Sequence, residues 1–330
     1  MSAETIIHAV VLNWRTAEMS LRSARATLLS LPGPQDRLYL VDNASGDGSE
    51  AQFRQALGDD PRVKVLQSGR NGGYGFGNNV GMRAAMAATP APDFIFLVNS
   101  DAFPEPDAAE RLAAFLMAHP KTAAVGSGIV GQDGAPHCST FRFHSVAGEF
   151  EGGARFGPIT RLLKHAQVPI LEPQAGQEVD WLSGAALMLR RDALEEVGLF
   201  DEGFFLYFEE TDLCRRLANA GWEMRFEPEA RVVHIGSVTT GMARWRRVPE
   251  YWFDSRARYF TKHGGRRTAL LATLARMAGG AIHRLRCLIQ RRRPNDPRGF
   301  HRHLLRHTLS ALRRGGAGRR RKRSMAESTQ

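Results

Sequence analysis

Short runs of apolar, often β-branched residues alternate along most of the chain with segments whose apolar residues recur at helical spacing. This alternation is typical of a mostly parallel sheet flanked by helices, because each helix returns the chain to the same edge of the sheet. The predicted strands are residues 5–12, 38–41, 63–66, 94–98, 124–130, 185–189 and 231–233. The predicted helices are residues 16–30, 49–57, 77–88 and 107–118, the last with Asp107 as its N-terminal cap.

Polar loops follow four of the predicted strands. They begin at Asn13, Asp42, Gly69 and Asn99, each next to the last apolar residue of a strand or shortly after it. In an open parallel sheet, ligands bind outside the carboxyl ends of the strands. The sequence therefore predicts that these four loops meet on one face and form a binding site there.

Two of these loops have a composition that suits a nucleotide. Asp42 enters a loop that Gly46 and Gly48 allow to bend, so its carboxylate could accept hydrogen bonds from a base or a ribose, although such strings also form ordinary turns. Residues 72–79 contain four glycines and two asparagines before a predicted helix, which would let backbone N–H groups approach a diphosphate. The spacing matches neither the Walker nor the Rossmann pattern.

Two single residues are candidate metal ligands. Asp101 follows a predicted central strand, where a cation that bridges phosphate oxygens would need one or two carboxylates. The same residue also suits a turn or a helix cap. His234 ends the last predicted strand, and a lone histidine there is more often structural than a ligand.

Residues 198–212 combine acidic and aromatic side chains. The five carboxylates are Asp201, Glu202, Glu209, Glu210 and Asp212. Charge of one sign beside so much apolar surface is costly unless a cation, a proton or a reacting group compensates it, which favours a catalytic or metal site. Acidic residues also suit the positive N-terminal end of a helix that would continue from Leu213, so the segment leaves both interpretations open.

Charge divides the chain into two parts. Of its 330 residues, 43% are hydrophobic, enough for one large α/β domain with a smaller appendage. Residues 241–330 have 24 Lys+Arg against 4 Asp+Glu, net +20, whereas residues 1–240 have 21 against 30, net −9. We expect an enzymatic domain at residues 1–262 and a basic, partly amphipathic helical tail at residues 263–330 with a disordered end.

The tail has the pattern of a helix that lies on an anionic membrane. Apolar residues recur at helical spacing among arginines; they are Leu270, Leu274, Met277, Ala281, Leu285 and Leu288. The N-terminal segment lacks a signal sequence, no uninterrupted apolar window reaches membrane-spanning length, and three widely spaced cysteines fit a reducing compartment. We therefore expect a cytoplasmic protein, associated with the inner face of the cell membrane through its tail.

The order and spacing of the motifs between residues 6 and 240 resemble those of the inverting GT-A glycosyltransferases of family 2, within their bacterial rhamnosyltransferase-like branch. The resemblance depends on the full series of motifs rather than on any one of them. The matching segments are residues 10–14, 41–49, 71–79, 99–101, 181–186, 198–202, 207–213 and 233–234.

That resemblance implies a Rossmann-like GT-A domain and a role for each motif. Asp101 and His234 would bind Mg²⁺ or Mn²⁺, and Glu210, or else Glu209, would be the catalytic base. The implied nucleotide-binding residues are Asn13, Asp42, Asn43, Asn71, Gly73, Asn78 and Ser100, and those for the acceptor or the sugar are Trp181, Gly184, Asp201 and Asp212. The chain departs from the family pattern at Asn99, where the first aspartate of the metal motif is usual, and at Glu210, where Asp is usual.

The expected function is metal-dependent, inverting transfer of a sugar to a hydroxyl of a glycan or a lipid-linked acceptor in cell-surface polysaccharide synthesis. The resemblance favours dTDP-rhamnose as donor. UDP-sugars are the alternative donors, because uracil and thymine present nearly the same hydrogen-bonding edge. Two alternatives are a basic-tailed protein that binds nucleotides or nucleic acid, and a nucleotidyltransferase on a related sheet. Neither alternative explains both the acidic aromatic segment and His234.

Overall fold

The computed structural model describes residues 5–236 and 246–327, with side chains through residue 313. The chain forms two compact units. The first comprises Met1–Phe143, Pro169–Phe205 and Glu209–Ala243, and the second comprises His144–Val168, Leu206–Phe208 and Arg244–Gln330. The predicted boundary at residue 262 falls inside a long helix of the second unit. The disorder expected at the end of the tail falls partly on residues 328–330, which lie outside the residues that the structure describes.

The first unit is built on a mixed sheet. Its strands are β1 (Ile7–Asn13), β2 (Arg37–Asp42), β3 (Val63–Gln67), β4 (Phe94–Asn99), β5 (Ala102–Pro104), β6 (Thr122–Val130), β7 (Thr140–Phe141), β8 (Glu178–Val179), β9 (Trp181–Leu182), β10 (Ala186–Arg190) and β11 (Glu223–His234). Its helices are α1 (Ala17–Ser30), α2 (Ser49–Leu57), α3 (Tyr74–Met86), α4 (Ala108–Ala118), α7 (Arg191–Val197) and α8 (Glu209–Asn219). The second unit contains α5 (Val146–Ala154), α6 (Gly157–Leu162), α9 (Glu250–Ile289) and α10 (Phe300–Glu327).

Within the described residues, nine strands form the main sheet in the order β3-β2-β1-β4-β10-β6-β11-β5, with β8 paired to β11. Six of the nine point the same way, since β10, β5 and β8 pair antiparallel with their neighbours. Alternate residues of β1 face the two sides: Ala9 and Val11 join one apolar core, and Val10 joins the other. The sheet is therefore buried on both faces, as the apolar runs predicted.

All seven predicted strands and all four predicted helices of the first unit are present, most with bounds within two residues of the prediction; the larger differences concern β11, α3 and the cap of α4. Strand β11 begins at Glu223 rather than at residue 231, because a register shift between Glu227 and Arg231 interrupts its pairing with β6 and breaks the sequence pattern. Asp107 is at the N-cap position of α4 but makes no capping hydrogen bond, since its carboxylate binds Arg111 at 2.7 Å.

Helix α3 begins at Tyr74, three residues before its predicted start, so it includes Gly75, which precedes the predicted helix, as well as Gly77 and Gly81. A Cβ at Gly77 would lie 2.4 Å from Leu12 Cδ1, and one at Gly81 would lie 2.5 Å from Val10 Cγ1. These glycines let α3 lie directly against β1. Close packing on the sheet therefore outweighs the low helix propensity of glycine.

The second unit is helical, as the tail pattern predicted. Its α5 packs on α9, and a buried ion pair joins them, with Arg256 Nε donating to Glu149 Oε1 at 2.9 Å. Burial lowers the pKa of the nearby His144 to about 4. Helix α9 is interrupted at Gly265, whose φ of +76° departs from helical geometry. None of the helices in the described residues has the length and apolar character needed to cross a bilayer.

Candidate active site

Asp101 and His234 lie side by side although 133 residues separate them. Strand β11 runs antiparallel to β5 with His234 opposite Ala102, and the backbone N–H of Ile235 donates to the carbonyl of Asp101 at 3.1 Å. This ladder sets the imidazole Nε2 3.1 Å from the Oδ1 of Asp101. Both side chains are mostly buried, with 8% of Asp101 and 19% of His234 exposed.

This pair fits a divalent cation. A carboxylate oxygen and an imidazole nitrogen are both ligands of such ions in proteins. Two ligand atoms at about 2.1 Å from one ion and at right angles to each other are about 3 Å apart. The observed separation is 3.1 Å, so the two atoms could share one ion with little movement.

Glu210 is in the first turn of α8, and the residue keeps part of its surface open to solvent. Burial raises the pKa of its carboxyl to about 7, and the backbone N–H groups of Glu210 and Gly184 oppose this rise by stabilising the ionised form. A carboxyl with this pKa is a competent proton acceptor near neutral pH. Its neighbour Glu209 is almost fully buried, with 1% exposed.

Tyr74 connects the two acidic parts of the site. Burial raises the pKa of its hydroxyl well above 10, and the charges of Glu210, Glu209 and Asp101 raise it further. All three carboxylates are therefore close enough to act on the same hydroxyl group. Residue type and spacing do not single out Tyr74, although it lies in one of the matching segments, residues 71–79.

Gly184 is the point at which Tyr74 and Glu210 meet. The hydroxyl of Tyr74 donates to the carbonyl of Gly184 at 2.8 Å. A Cβ on Gly184 would lie 2.4 Å from Glu210 Oε1, 3.0 Å from Glu210 Cγ and 2.8 Å from the hydroxyl of Tyr74. The absence of a side chain at position 184 therefore leaves the space that the carboxylate of Glu210 occupies.

The predicted nucleotide-binding residues of the β1 and β2 loops form one hydrogen-bonded network. Asn13 Nδ2 donates to Asp42 Oδ1 at 2.8 Å, and Gln67 Nε2 donates to Asp42 Oδ2 at 2.9 Å. Ser45 also donates to both oxygens of Asp42, which is 2% exposed. The structure thus shows Asp42 holding the loops together, and its contact with a nucleotide stays a prediction.

The remaining predicted nucleotide-binding residues lie close to this network. Asn43 Nδ2 donates to Asn71 Oδ1 at 3.2 Å and to the Gly73 carbonyl at 3.1 Å. Gly73 has a φ of +92°, and a Cβ there would lie 1.9 Å from the carbonyl oxygen of Phe205. Asn78 is buried and donates to the carbonyl of Tyr74, whereas Ser100 is buried and accepts from Thr16 at 3.4 Å.

Three of the residues predicted to contact the acceptor or the sugar bind other parts of the protein in the structure. One face of Trp181 stacks on Phe141, with ring centroids 4.0 Å apart, and its Nε1 donates to the carbonyl of Arg142. Asp212 is fully buried and binds Arg216 at 2.9 Å, and Asp201 accepts from the backbone N–H of Gly203. The structure gives these residues structural partners, and their substrate contacts stay predictions.

The aromatic residues around the acidic segment separate into two groups. Phe204 is buried in the first unit, whereas Phe205 is 41% exposed. Tyr207 and Phe208, both with positive φ, belong to the second unit, where Phe208 contacts Trp252 and Tyr259. The backbone is therefore strained directly before α8, a feature that clusters at functional sites and that the sequence did not reveal.

The mostly parallel sheet carries an Asp–His pair just beyond the end of β4 and at the end of β11, and Glu210 on α8 has a carboxyl whose pKa burial raises. Residues 5–253 match the family described as "Glycosyltransferase like family 2", and the chain belongs to that family. It is a glycosyltransferase, as the motif order predicted.

The chain resembles rhamnosyltransferases within this family. It is 33% identical over 215 residues to an N-acetylglucosaminyl-diphospho-decaprenol L-rhamnosyltransferase of Mycobacterium tuberculosis (strain CDC 1551 / Oshkosh), a match that covers 62% of this chain and 68% of the relative. It is 27% identical over 169 residues to rhamnosyltransferase WbbL of Escherichia coli K12, covering 49% and 61%. The mannosyltransferase PcManGT of Pyrobaculum calidifontis, solved with GDP-Man and Mn²⁺, aligns over 93% of this chain and 85% of its own with a TM-score of 0.54 at 14% identity. The predicted GT-A fold is confirmed.

Proposed function

We propose that this glycosyltransferase transfers rhamnose from dTDP-rhamnose, with inversion and with the help of a divalent metal, to a hydroxyl of a lipid-linked or glycan acceptor in cell-surface polysaccharide synthesis. The observation that supports this most directly is the Glu210 carboxyl, with a pKa of about 7, near the same tyrosine hydroxyl as Asp101. A carboxyl that can accept a proton near neutral pH and a candidate metal ligand thus both raise the pKa of the Tyr74 hydroxyl.

Glu210 is the base in this proposal. It accepts the proton of the acceptor hydroxyl while that oxygen forms its bond to the anomeric carbon and the bond from this carbon to the diphosphate oxygen breaks. A general base typically contributes about 10²–10⁴-fold to the rate. Attack on the side opposite the departing diphosphate inverts the configuration. The backbone N–H of Gly184 stabilises the ionised carboxylate.

Asp101 and His234 hold Mg²⁺ or Mn²⁺ in this proposal. Such an ion, when bound, neutralises the negative charge that develops on the departing diphosphate. Since Asn99 stands where the family usually has a further aspartate, Asp101 is the main anionic ligand, and the neutral form of His234 supplies a nitrogen lone pair. Mn²⁺ in the structure of the mannosyltransferase from Pyrobaculum calidifontis supports the choice of ion.

The acceptor is inferred from the curated relatives. The name of the M. tuberculosis relative specifies an N-acetylglucosaminyl-diphospho-decaprenol acceptor. We assign to this chain an acceptor of the same chemical class, a sugar linked by a diphosphate to a polyprenol. An anionic membrane surface is then the place where the enzyme meets its substrate, consistent with the net charge of +20 in residues 241–330.

The first experiment offers the purified chain radiolabelled dTDP-rhamnose, dTDP-glucose and UDP-sugars in turn, with a synthetic N-acetylglucosaminyl-diphospho-lipid as acceptor. The proposal expects label on the lipid from dTDP-rhamnose, an inverted linkage by NMR, loss of transfer in EDTA and recovery with Mn²⁺ or Mg²⁺. Transfer from another donor would overturn the rhamnose assignment, and full activity in EDTA would remove the metal from the mechanism.

The second experiment tests the base. Glu210→Gln should bind the donor as tightly as the natural enzyme and lose about 10²–10⁴-fold in kcat. Glu110→Gln, which alters an exposed glutamate on α4, is the matched control and should leave kcat unchanged. A Glu210→Gln enzyme with nearly full turnover would transfer the role to Glu209.

A further inference from the structure

Helix α9 has two faces of opposite character beyond its break at Gly265. The inner face packs against α5, where backbones touch: a Cβ on Gly279 would lie 2.3 Å from the carbonyl oxygen of Phe150, and one on Gly153 would lie 2.7 Å from the carbonyl oxygen of Arg276. Ala269, Ala272 and Cys287 are buried on the same side. The contacts of α9 within its unit therefore fix which side faces outward.

The outward face is apolar rather than polar. Its leucines are strongly exposed, with 48% of Leu274, 58% of Leu285 and 74% of Leu288 accessible to solvent. Its exposed members recur at spacings of three and four residues and form one stripe: Leu271, Leu274, Ala278, Ala281, Leu285, Leu288 and Ile289. The stripe is about 27 Å long at 1.5 Å per residue. A solvent-facing helix of a globular protein normally has polar residues in these positions.

Cations surround this stripe. Exposed arginines flank it at both ends, namely Arg266 and Arg267 before it and residues 291–293 after it, and Arg284 lies along its edge. From Ser255 to Asn295 the sequence contains no aspartate or glutamate. The nearest acidic residue beyond, Asp296, forms ion pairs with Arg155 and Arg284. The positive charge around the stripe is therefore largely uncompensated by carboxylates along α9.

We propose that α9 lies in the plane of an anionic bilayer, with its exposed leucine stripe inserted between the lipid headgroups and its flanking arginines bound to lipid phosphates. The apolar stripe and the arginines are the two elements of an interfacial helix. The inference rests on the proposed function, because a lipid-linked acceptor places the reaction at such a surface.

The positive charge around the stripe favours an anionic bilayer, rather than a second copy of the chain, as the partner of α9. Two copies that paired through the same stripe would bring their flanking arginines together, and residues 255–295 contain no carboxylate to neutralise them, so the copies would repel each other. An anionic leaflet meets the same arginines with opposite charge, and its hydrocarbon accepts the leucines. Each arginine near such a surface contributes about 1 kcal/mol.

The test is flotation of the full chain with phosphatidylcholine vesicles and with vesicles that also contain phosphatidylglycerol. The chain should float with the anionic vesicles and lose this binding in high salt. Leu274→Glu and Leu285→Glu should each raise the lipid concentration for half-maximal binding about tenfold, since each removes an inserted leucine and adds a charge that the leaflet repels.

Matched controls come from exposed leucines elsewhere in the chain. Leu162 and Leu171 are 77% and 76% exposed, so Leu162→Glu and Leu171→Glu make the same chemical change away from α9. They should leave flotation unchanged. Equal losses in all four variants, or none in the α9 pair, would overturn the proposal, as would light scattering that shows the α9 variants turning a dimer into a monomer.

A transfer assay separates this inference from the proposed function. The α9 variants should retain activity toward a short-chain, water-soluble acceptor and lose activity toward the same headgroup on a polyprenol in vesicles. Flotation without any sugar transfer would refute the function and leave the membrane site standing. Transfer without flotation, equal for both acceptors, would refute the membrane site alone.

Discussion

The pH dependence of the reaction is the sharpest test of Glu210 as the base. Its carboxyl accepts a proton only when ionised, and burial raises its pKa to about 7. The ionised fraction is then about one in eleven at pH 6 and about ten in eleven at pH 8. We expect kcat to fall about tenfold between these values as the pH decreases, with a midpoint near 7 rather than near 4.5, the usual value for glutamate.

Metal binding could imitate this profile, because protons compete with a metal ion for its ligands. Measuring the pH profile at increasing Mn²⁺ concentration distinguishes the two causes. Excess metal overcomes the competition by protons and shifts a midpoint of that origin downward, whereas it leaves the midpoint of Glu210 in place. A kcat that is constant from pH 6 to 8 at saturating Mn²⁺ would refute a desolvated Glu210 base.

Three other predictions follow from particular contacts. Gly184→Ala should displace the Glu210 carboxylate by about 1 Å and reduce kcat about 10²-fold with the donor Kd unchanged, measured by steady-state kinetics and calorimetry; an equal loss in donor affinity would contradict this. His234→Ala should raise the Mn²⁺ concentration for half-maximal activity about tenfold or more, and an unaltered Mn²⁺ titration would show that His234 is no ligand. Glu149→Gln should leave Arg256 buried without its counter-charge and lower the free energy of unfolding by about 3–5 kcal/mol, whereas the exposed Glu110→Gln should leave it within about 0.5 kcal/mol in urea denaturation.

The sheet was predictable from the sequence because its strands are buried on both faces and therefore read as continuous apolar runs. The direction and order of the strands were not. Strand β10 resembles the other apolar runs yet inserts antiparallel between β4 and β6. Pairing direction depends on how the crossovers pack, and an apolar run of this length has no signal for it.

The site was predictable to the extent that family motifs identify it. Residue types alone left Asp101 open between a metal ligand and a turn or cap residue and favoured a structural role for His234, and only the full series of motifs joined them. Their contact depends on the ladder between β5 and β11, which brings together residues 133 positions apart. Tyr74 was missed because a buried tyrosine has no distinguishing spacing, and its role became visible only through the three carboxylates that act on it.

The glycine at position 184 explains how the structure accommodates a glutamate at position 210. Where the family usually has aspartate, this chain has a side chain longer by one methylene, which would be expected to move the carboxylate. The space for the added length is the space of a missing Cβ, since a methyl group on Gly184 would approach both Cγ and Oε1 of Glu210. The Gly184 N–H stabilises the ionised carboxylate, and the Gly184 carbonyl accepts the hydroxyl of Tyr74. If Glu210 is the base, as proposed, Gly184 positions it, and Gly184→Ala measures that coupling directly.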